Sequence, residues 1–191
     1  MKDLYLGIDI GGTTTKAAVF DHEGRAVGRS QSVNQIIAGP GGKVERDMAE
    51  VWKTTAATIR ACLDGIDVDR LAAIGIAGHS DGMYPITNDG RPASHAIQAT
   101  DTRAAEQAAR YRHTAAGPGL AEITGTFPFA GSMSAICRWL VEHDPEPLTA
   151  ATWLLSAKDW VRYCLTGRVA TDSTDASGSF LDIRSNTYSQ E

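Results

Sequence analysis

The sequence has few cysteines and lacks any long hydrophobic run. Its 191 residues include three cysteines, Cys62, Cys137 and Cys164, an odd number at wide spacing. They match neither a disulfide framework nor a zinc site and are typical of buried free thiols in a reducing cytoplasm. No apolar run approaches the roughly 20 residues of a membrane span. The N-terminus also lacks the apolar region and cleavage site of a signal peptide.

Positive charge is scarce as well. The formal net charge is −5 and the sequence pI is about 5.5, which argues against nucleic acid as the main partner. The five histidines show no metal-ligand spacing, and the Gly-x-Ser-x-Gly elbow of many hydrolases is absent. What remains is an ordinary α/β composition, with 42% hydrophobic residues and 19 glycines, sufficient for one large domain or for one domain and part of another.

The N-terminal stretch, residues 4–20, contains the most specific pattern. Leucine and isoleucine alternate with other residues up to Ile10, which predicts a strand, and Gly11-Gly12 then turns the chain into a second strand. Asp9 lies in the first strand, where a carboxylate is costly unless hydrogen bonds, a cation or water compensate it. The pattern is neither a Walker A loop nor a dinucleotide fingerprint.

Two interpretations of this stretch are open. One is an ordinary β-hairpin whose aspartate helps to form the turn. The other is a phosphate loop, in which glycine N–H groups and the hydroxyls of Thr13 and Thr14 approach a polyphosphate while Asp9 holds water on Mg²⁺.

Along the rest of the chain, periodicity predicts alternating strands and helices. We expect strands near residues 26–33, 71–77, 83–86 and 153–155, and a helix from Met48 with an Asp47-x-x-Glu50 capping box. A second helix should run to about residue 113 and break at residues 117–119, which are Gly-Pro-Gly. Ser156-x-x-Asp159 should cap another helix. The tail, residues 171–191, is either a loop that covers a site or a frayed end.

Polar residues stand at three predicted strand ends, where open α/β sheets bind ligands. The three clusters are Asp9 with the glycine turn, His79-Ser80-Asp81, and residues 101–103. Each has a simpler explanation alone: the second reads as a polar loop and Asp101 as a natural helix N-cap. Glu45 and Arg46 read as a solvated turn. The occurrence of all three clusters in one chain favours a binding site.

The motifs resemble those of the FGGY carbohydrate kinases, in the actin/hexokinase-like superfamily. Residues 7–16 (GIDIGGTTTK) resemble the first phosphate motif of the family. The similarity continues in the same order through residues 45–52, 75–79, 100–103, 138–143 and 159–167, and so covers nearly the whole chain. The pattern is nearest to the L-xylulose kinase branch, followed by the erythritol and D-xylulose kinases.

The resemblance implies an RNase H-like (actin-like ATPase) α/β domain with a mixed five-stranded sheet flanked by helices and a helical insertion. It also implies transfer of a phosphoryl group from ATP, with Mg²⁺, to a small sugar or polyol such as L-xylulose or xylulose. The alternatives are a sugar-alcohol kinase of the same family, a non-catalytic sugar-binding module and a chaperone-type ATPase. The polar residues at 79–81 and 101–103 argue against the chaperone, which has no need of a polyol site.

The family's functional residues carry over at several positions. Asp9 matches the Mg²⁺/phosphate aspartate, and Gly11, Gly12, Thr13 and Thr14 match the phosphate loop. Ser80 and Asp81, beside His79, match sugar-contacting positions, and Asp101 matches a sugar-binding aspartate. Three departures leave the identity of the sugar open: no tryptophan precedes Asp101, the usual sugar loop is replaced by His79-Ser80-Asp81, and Ile136 stands in place of a lysine.

The family's catalytic base and adenine pocket lie in a second domain, and this sequence stops at Glu191. We therefore expect residues 1–191 to be an N-terminal sugar-binding domain that is inactive alone. Its expected partners are the sugar or polyol, ATP, the second domain and, as an open possibility, a second copy of the chain. Neither nucleic acid nor a membrane is expected as a partner.

Overall fold

The computed structural model describes residues 2–113 and 116–189. Its central sheet has the strand order β3-β2-β1-β6. The first three strands form an antiparallel meander, and β6 pairs with β1 in parallel. These strands are β1 (Leu4–Ile10), β2 (Thr14–Phe20), β3 (Ala26–Val33) and β6 (Leu71–Gly78). The chain therefore places the C-terminal ends of β1 and β6 side by side.

The remaining strands are short and form smaller sheets. Two of these have the orders β4-β5-β8 and β7-β9, and β10 pairs with β11. The strands are β4 (Ile37–Gly39), β5 (Lys43–Arg46), β7 (Tyr84–Ile86), β8 (Ala96–Ile97), β9 (Trp153–Leu155), β10 (Leu181–Asp182) and β11 (Thr187–Tyr188). The helices are α1 (Met48–Cys62), α2 (Ala105–His113), α3 (Ala116–Thr124), α4 (Met133–His143), α5 (Glu146–Ala150), α6 (Ala157–Thr166) and α7 (Ser173–Ser177).

One face of the central sheet forms the core. The alternating residues of β1 that were predicted to be apolar are all buried there, and they pack with side chains from α1 and α6. Trp160 of α6 donates its indole N–H to the carbonyl of Met48 at 2.9 Å, which ties the two helices together. Each large aliphatic side chain buried here contributes about 1.5–3 kcal/mol.

The opposite face of the same sheet is open. Small residues occupy its middle, and a broad concave surface crosses it from Phe20 to Asp9 and Lys16; among its lining residues are Gly7, Ala18, Gly75 and Ala77. The helices that flank the sheet in the described residues therefore lie on a single face. No helix in the described part of the chain is long and apolar enough to cross a membrane.

The predicted fold class is confirmed, but the expected number of strands is not. The central sheet of the described residues has four strands rather than five. The three residues of β9 pair antiparallel with β7, so β9 does not join the central sheet. Strand β7 follows β6 after a left-handed turn with φ of 64° at Asp81 and 75° at Gly82. Helices α2 to α5 lie between β8 and β9, which confirms the predicted helical insertion.

Local predictions had mixed outcomes. The cap of α1 is confirmed, since the Asp47 carboxylate accepts from the backbone N–H of Ala49 and of Glu50. Ser156 is the N-cap residue of α6, as predicted, but its hydroxyl donates to the Asp159 carboxylate and accepts no backbone N–H. The predicted break at residues 117–119 is also wrong. Those residues open α3, where a proline is tolerated because first-turn N–H groups need no helical partner.

Candidate functional site

The phosphate turn, residues 11–14, connects β1 to β2 and is held from behind. The carbonyl of Gly11 accepts from the Asn34 side-chain amide at 2.8 Å and from Arg46 Nη1 at 3.4 Å. The carbonyl of Thr13 accepts from the backbone N–H of Asn34 at 2.9 Å. Any Cβ at Gly11 would lie 2.6 Å from the carbonyl oxygen of Thr14, so only glycine fits there.

Within the described residues, the backbone N–H groups of Gly12 and Thr13 make no hydrogen bond. The carbonyls of the turn are bound on its inner side, so these two N–H groups remain available to a ligand. Neighbouring free N–H groups in a glycine turn form a concave site that attracts anions. The turn is thus chemically suited to phosphate oxygens.

Asp9 stands beside this turn with its side chain about half exposed (52%). Its nearest cation is Lys16, with 3.9 Å between Nζ and Oδ2. No group of three or more potential metal-binding side chains occurs in the part of the chain that the structure describes. An oxygen donor of this kind fits Mg²⁺, which keeps several waters and is bound through one or two carboxylates plus phosphate oxygens.

The structure brings the first two predicted clusters together. Asp9 pairs with Ala77 across the parallel β1–β6 ladder, and the backbone N–H of His79 donates to the carbonyl of Ile10 at 3.1 Å. The acceptor loop, residues 78–82, therefore begins directly beside the phosphate turn. Their closeness follows from the parallel pairing, because the C-terminal ends of parallel strands meet at the same edge.

Asp81 occupies an unusual backbone conformation in the acceptor loop. Its φ of 64° lies in the left-handed region, which residues other than glycine, asparagine and aspartate rarely adopt. Burial, together with the nearby Asp175 carboxylate, raises the pKa of Asp81 to about 6. Ser80, its neighbour, is exposed.

A cavity of about 260 Å³ opens beside Asp81. Its lining combines polar and apolar side chains, among them Ser156, Asp159, Asp175, Met133, Leu154 and Phe180. Carboxylate and hydroxyl groups can bond a polyol's hydroxyls, while apolar walls receive its C–H faces, the usual division of labour in small-molecule pockets.

The tail contributes to this cavity, an outcome that the sequence left open. Helix α7 carries Asp175, which forms an ion pair with Lys158 Nζ at 2.7 Å. Lys158 also pairs with Asp159 at 3.2 Å and with Asp172 at 2.9 Å, and these carboxylates raise its pKa against the opposing effect of burial. Residues 173–189 of the tail contain α7, β10 and β11, so the prediction of a frayed end is wrong for them; residues 190–191 lie outside the described part of the chain.

His79 points inward rather than toward solvent. Both of its ring nitrogens are inaccessible and have no hydrogen-bond partner in the described part of the chain. Burial lowers its pKa and keeps the ring neutral near pH 7. Its ring centroid lies 6.3 Å from that of Tyr84.

The carboxylate of Asp101, by contrast, makes its hydrogen bonds within the protein. Its carboxylate accepts from the backbone N–H of Val44 at 2.6 Å and of Arg103 at 2.8 Å, and it binds the Arg103 guanidinium. The side chain has no exposed surface. Helix α2 begins at Ala105, so Asp101 is not its N-cap. In this position Asp101 holds β5 to the start of the helical insertion, and the geometry lends a direct sugar contact no support.

The sequence-based prediction missed three buried residues near the site. Arg46, predicted to lie in a solvated turn, is only 1% exposed, and Tyr84 and Gln98 are equally buried. Arg46 is part of β5, whose pairing with β8 turns its side chain under the phosphate turn.

Comparison with known proteins gives one consistent answer. Residues 4–191 match the FGGY family of carbohydrate kinases, N-terminal domain. The L-xylulose/3-keto-L-gulonate kinase of Escherichia coli (strain K12) is 32% identical over 183 residues, which are 95% of this chain and 37% of that protein. The erythritol kinase of Brucella abortus (strain 2308) is 34% identical over 192 residues, 97% of this chain and 36% of that protein.

Solved structures agree with the sequence relatives. A xylulose kinase from Brucella ovis superimposes with a TM-score of 0.90 at 26% identity, covering 97% of this chain and 39% of that one. The glycerol kinase of Plasmodium falciparum, solved with ADP, superimposes with a TM-score of 0.83 at 22% identity, a likeness of fold alone, covering 98% of this chain and 39% of that one. This chain thus spans little more than a third of the length of its relatives.

Proposed function

Because the chain belongs to the FGGY family of carbohydrate kinases, we propose that it supplies the sugar-binding domain and the phosphate loop of an ATP-dependent kinase acting on a small sugar or polyol. A ketopentose such as L-xylulose is the first candidate acceptor, and erythritol is the second. One observation carries the proposal: the two N–H groups left free in the phosphate turn lie at the same sheet edge as the acceptor loop.

Gly12 and Thr13 would bind the terminal phosphate oxygens through their backbone N–H groups, with the Thr13 and Thr14 hydroxyls beside them. Gly11 would shape the turn. Asp9 would hold the waters of Mg²⁺, an ion that neutralises charge on the phosphates during transfer. Positioning and neutralisation of charge supply most of the catalysis in phosphoryl transfer.

The acceptor would lie against the loop of residues 78–82 and in the adjoining cavity. Ser80 and Asp81 would bond its hydroxyls, with Asp175 in the lining of the same cavity. His79, whose nitrogens face inward, would support the loop from below. For Asp101 we propose the supporting role described above in place of direct contact.

The proposed kinase needs more than these residues. The family's catalytic base and adenine pocket would come from a second domain, so residues 1–191 alone would bind sugar without turning it over. We also propose a cytoplasmic location, in keeping with the three free thiols.

The test is an ADP-release assay with Mg–ATP and a panel of pentuloses, erythritol and glycerol. It would use the purified chain and, in parallel, the product of the whole reading frame, with sugar binding followed by calorimetry. We expect the chain to bind one acceptor class without turnover and the longer product to phosphorylate it. Absence of binding and turnover with every acceptor would refute the kinase, and clear turnover by the chain alone would refute the need for a second domain.

A non-catalytic sugar-binding module is the second candidate. The cavity beside Asp81 supports this candidate equally, because binding a polyol there requires no phosphate transfer. The two differ in their dependence on Asp9. A kinase should lose its rate on Asp9→Asn, whereas a binding module should show sugar affinity that is unaffected by this change and no ADP release.

A further inference from the structure

Beneath the phosphate turn lies a cluster of buried polar side chains: Arg46, Tyr84 and Gln98 are each no more than 2% exposed. They come from β5, from β7 and from the residue after β8. Arg46 Nε, Tyr84 Oη and Gln98 Nε2 have no hydrogen-bond partner among the described residues. Buried polar atoms are almost always bonded in folded proteins, so several free atoms at one place mark a region shaped by something other than stability.

The charge in this cluster lacks a counterion. No carboxylate in the part of the chain described here lies within ion-pair distance of Arg46. Burial lowers the pKa of its guanidinium, while Tyr84 acts in the opposite direction. A buried charge without an opposite charge is destabilising, and well-packed apolar side chains often replace such charges at no loss of stability.

Arg46 contacts the phosphate turn, one of the two halves of the proposed site. Its Nη1 donates to the carbonyl of Gly11 at 3.4 Å, on the inner side of the phosphate turn. Tyr84 of the same cluster has its ring centroid 6.3 Å from that of His79 in the acceptor loop. Besides burial, the Arg46 charge also lowers the pKa of His79. Gln98 closes the group, since its Oε1 lies 3.8 Å from where a Cβ on Gly12 would be.

We infer that Arg46 is a positioning residue that holds the phosphate turn and the acceptor loop in a fixed relative geometry. It does so by binding the Gly11 carbonyl from behind, which keeps the N–H groups of Gly12 and Thr13 directed outward. Tyr84 of the same cluster extends this support to the His79 ring, 6.3 Å away between ring centroids. The inference rests on the proposed function, because a fixed geometry of the turn and the loop serves catalysis only there. Whether Arg46 fixes that geometry can be measured without assuming any function.

The test compares Arg46→Met, Arg46→Lys and the wild type of this chain. Arg91→Met is the matched control, because the Arg91 side chain is 81% exposed and pairs only with the surface carboxylate of Asp89. Backbone amide order parameters of residues 11–14 and 79–81 are measured by NMR without ligand, together with the melting temperature. The amide shifts of Gly12 and Thr13 are then followed on titration with Mg–ATP.

In Arg46→Met we expect an equal or higher melting temperature, lower order parameters in both segments, and Mg–ATP binding weakened about tenfold or more, the effect of losing a charged hydrogen bond. Arg46→Lys should have order parameters and an affinity for Mg–ATP between those of Arg46→Met and the wild type. Arg91→Met should match the wild type throughout.

A lower melting temperature with both segments still ordered would overturn the inference, because Arg46 would then serve only the fold. Unchanged order parameters in both segments would overturn it as well. A wild-type chain whose Gly12 and Thr13 amide shifts do not respond to Mg–ATP shows that the isolated turn does not hold the nucleotide, which leaves the proposed function to the acceptor assay, while the ligand-free order parameters still decide the role of Arg46.

Discussion

The carboxylate of Asp101 binds the guanidinium of Arg103, with Oδ2 2.8 Å from Nη2, and both side chains are almost completely buried. Glu45 binds the same guanidinium at 2.5 Å, and the Trp139 ring lies 5.3 Å from its centre. The motif that resembles a sugar-binding aspartate thus forms an internal ion-pair network. It fastens β5 to the helical insertion and so supports the loops above it.

Asp101→Asn should therefore lower stability, by about 3 kcal/mol, because removing one partner leaves a buried charge only partly compensated. Urea unfolding followed by circular dichroism measures the change. Asp89→Asn, in the exposed Asp89–Arg91 pair, is the control and should leave stability unchanged. Normal stability with lost sugar binding would instead indicate that Asp101 contacts the sugar directly.

Asp81 should make stability depend on pH. Its pKa is raised from 3.8 to about 6 in the folded chain, so the folded state binds the proton more tightly than the unfolded state. The resulting stabilisation is complete below about pH 3.8 and is lost as the pH rises through about 6. Asp81→Asn removes this dependence and should be more stable than the wild type at pH 7, with the difference disappearing near pH 4.

Thermal unfolding of both proteins between pH 4 and pH 8 checks this prediction. Taking the difference between the two removes the opposite slopes that carboxylates with lowered pKa, such as Asp3 and Asp172, contribute. Asp64→Asn, an exposed carboxylate, serves as the control. A stability difference that stays constant across this range would contradict the raised pKa of Asp81.

Asp9→Asn should remove the dependence of ATP binding on Mg²⁺ and leave stability unchanged, because the side chain is half exposed and its one ion pair is loose. Calorimetric titration with ATP, with and without Mg²⁺, measures this in the whole reading-frame product. We expect about a tenfold loss of affinity for Mg–ATP, typical of one charge-assisted contact. Full retention of the Mg²⁺ effect would exclude Asp9 as the magnesium aspartate.

Gly82→Ala should disrupt the acceptor loop. The position has a φ of 75°, and a Cβ would lie 2.5 Å from the carbonyl oxygen of Ile97. Gly65 has a φ of 72° but no atom within 4 Å of its Cβ position, which makes Gly65→Ala a matched control for the backbone strain alone. We expect a loss of about 1–2 kcal/mol for the control and about 3 kcal/mol or more for Gly82→Ala, by urea unfolding. Equal losses would show that the loop moves away from Ile97 at little cost.

The sequence alone was sufficient for the elements whose signals are local. Alternating leucine and isoleucine in β1, the glycine turn at residues 11–12 and the apolar spacing of α1 predicted the N-terminal meander and the helix that packs on it. The polar residues at the ends of β1 and β6 were also correctly expected to meet, because parallel pairing brings such ends together.

The number of strands in the central sheet and the place of the tail could not be read locally. A three-residue strand such as β9 has no periodicity that selects one partner over another, and the strand with which it pairs, β7, is distant in the sequence. Likewise, no pattern in residues 171–189 predicted that Asp175 of α7 would form an ion pair with Lys158.

The sequence by itself determined the fold class and the family, because residues 7–16 and the later motifs occur in the right order along nearly the whole chain. Tertiary structure decided which of the polar residues are available for chemistry. The carboxylate of Asp101 is occupied by hydrogen bonds from Arg103 and from the backbone N–H of Val44, 57 positions away in sequence. Arg46 is buried under the phosphate turn, 35 positions from the carbonyl to which it donates. Burial and hydrogen-bond satisfaction depend on such distant partners, and a local pattern contains no information about them.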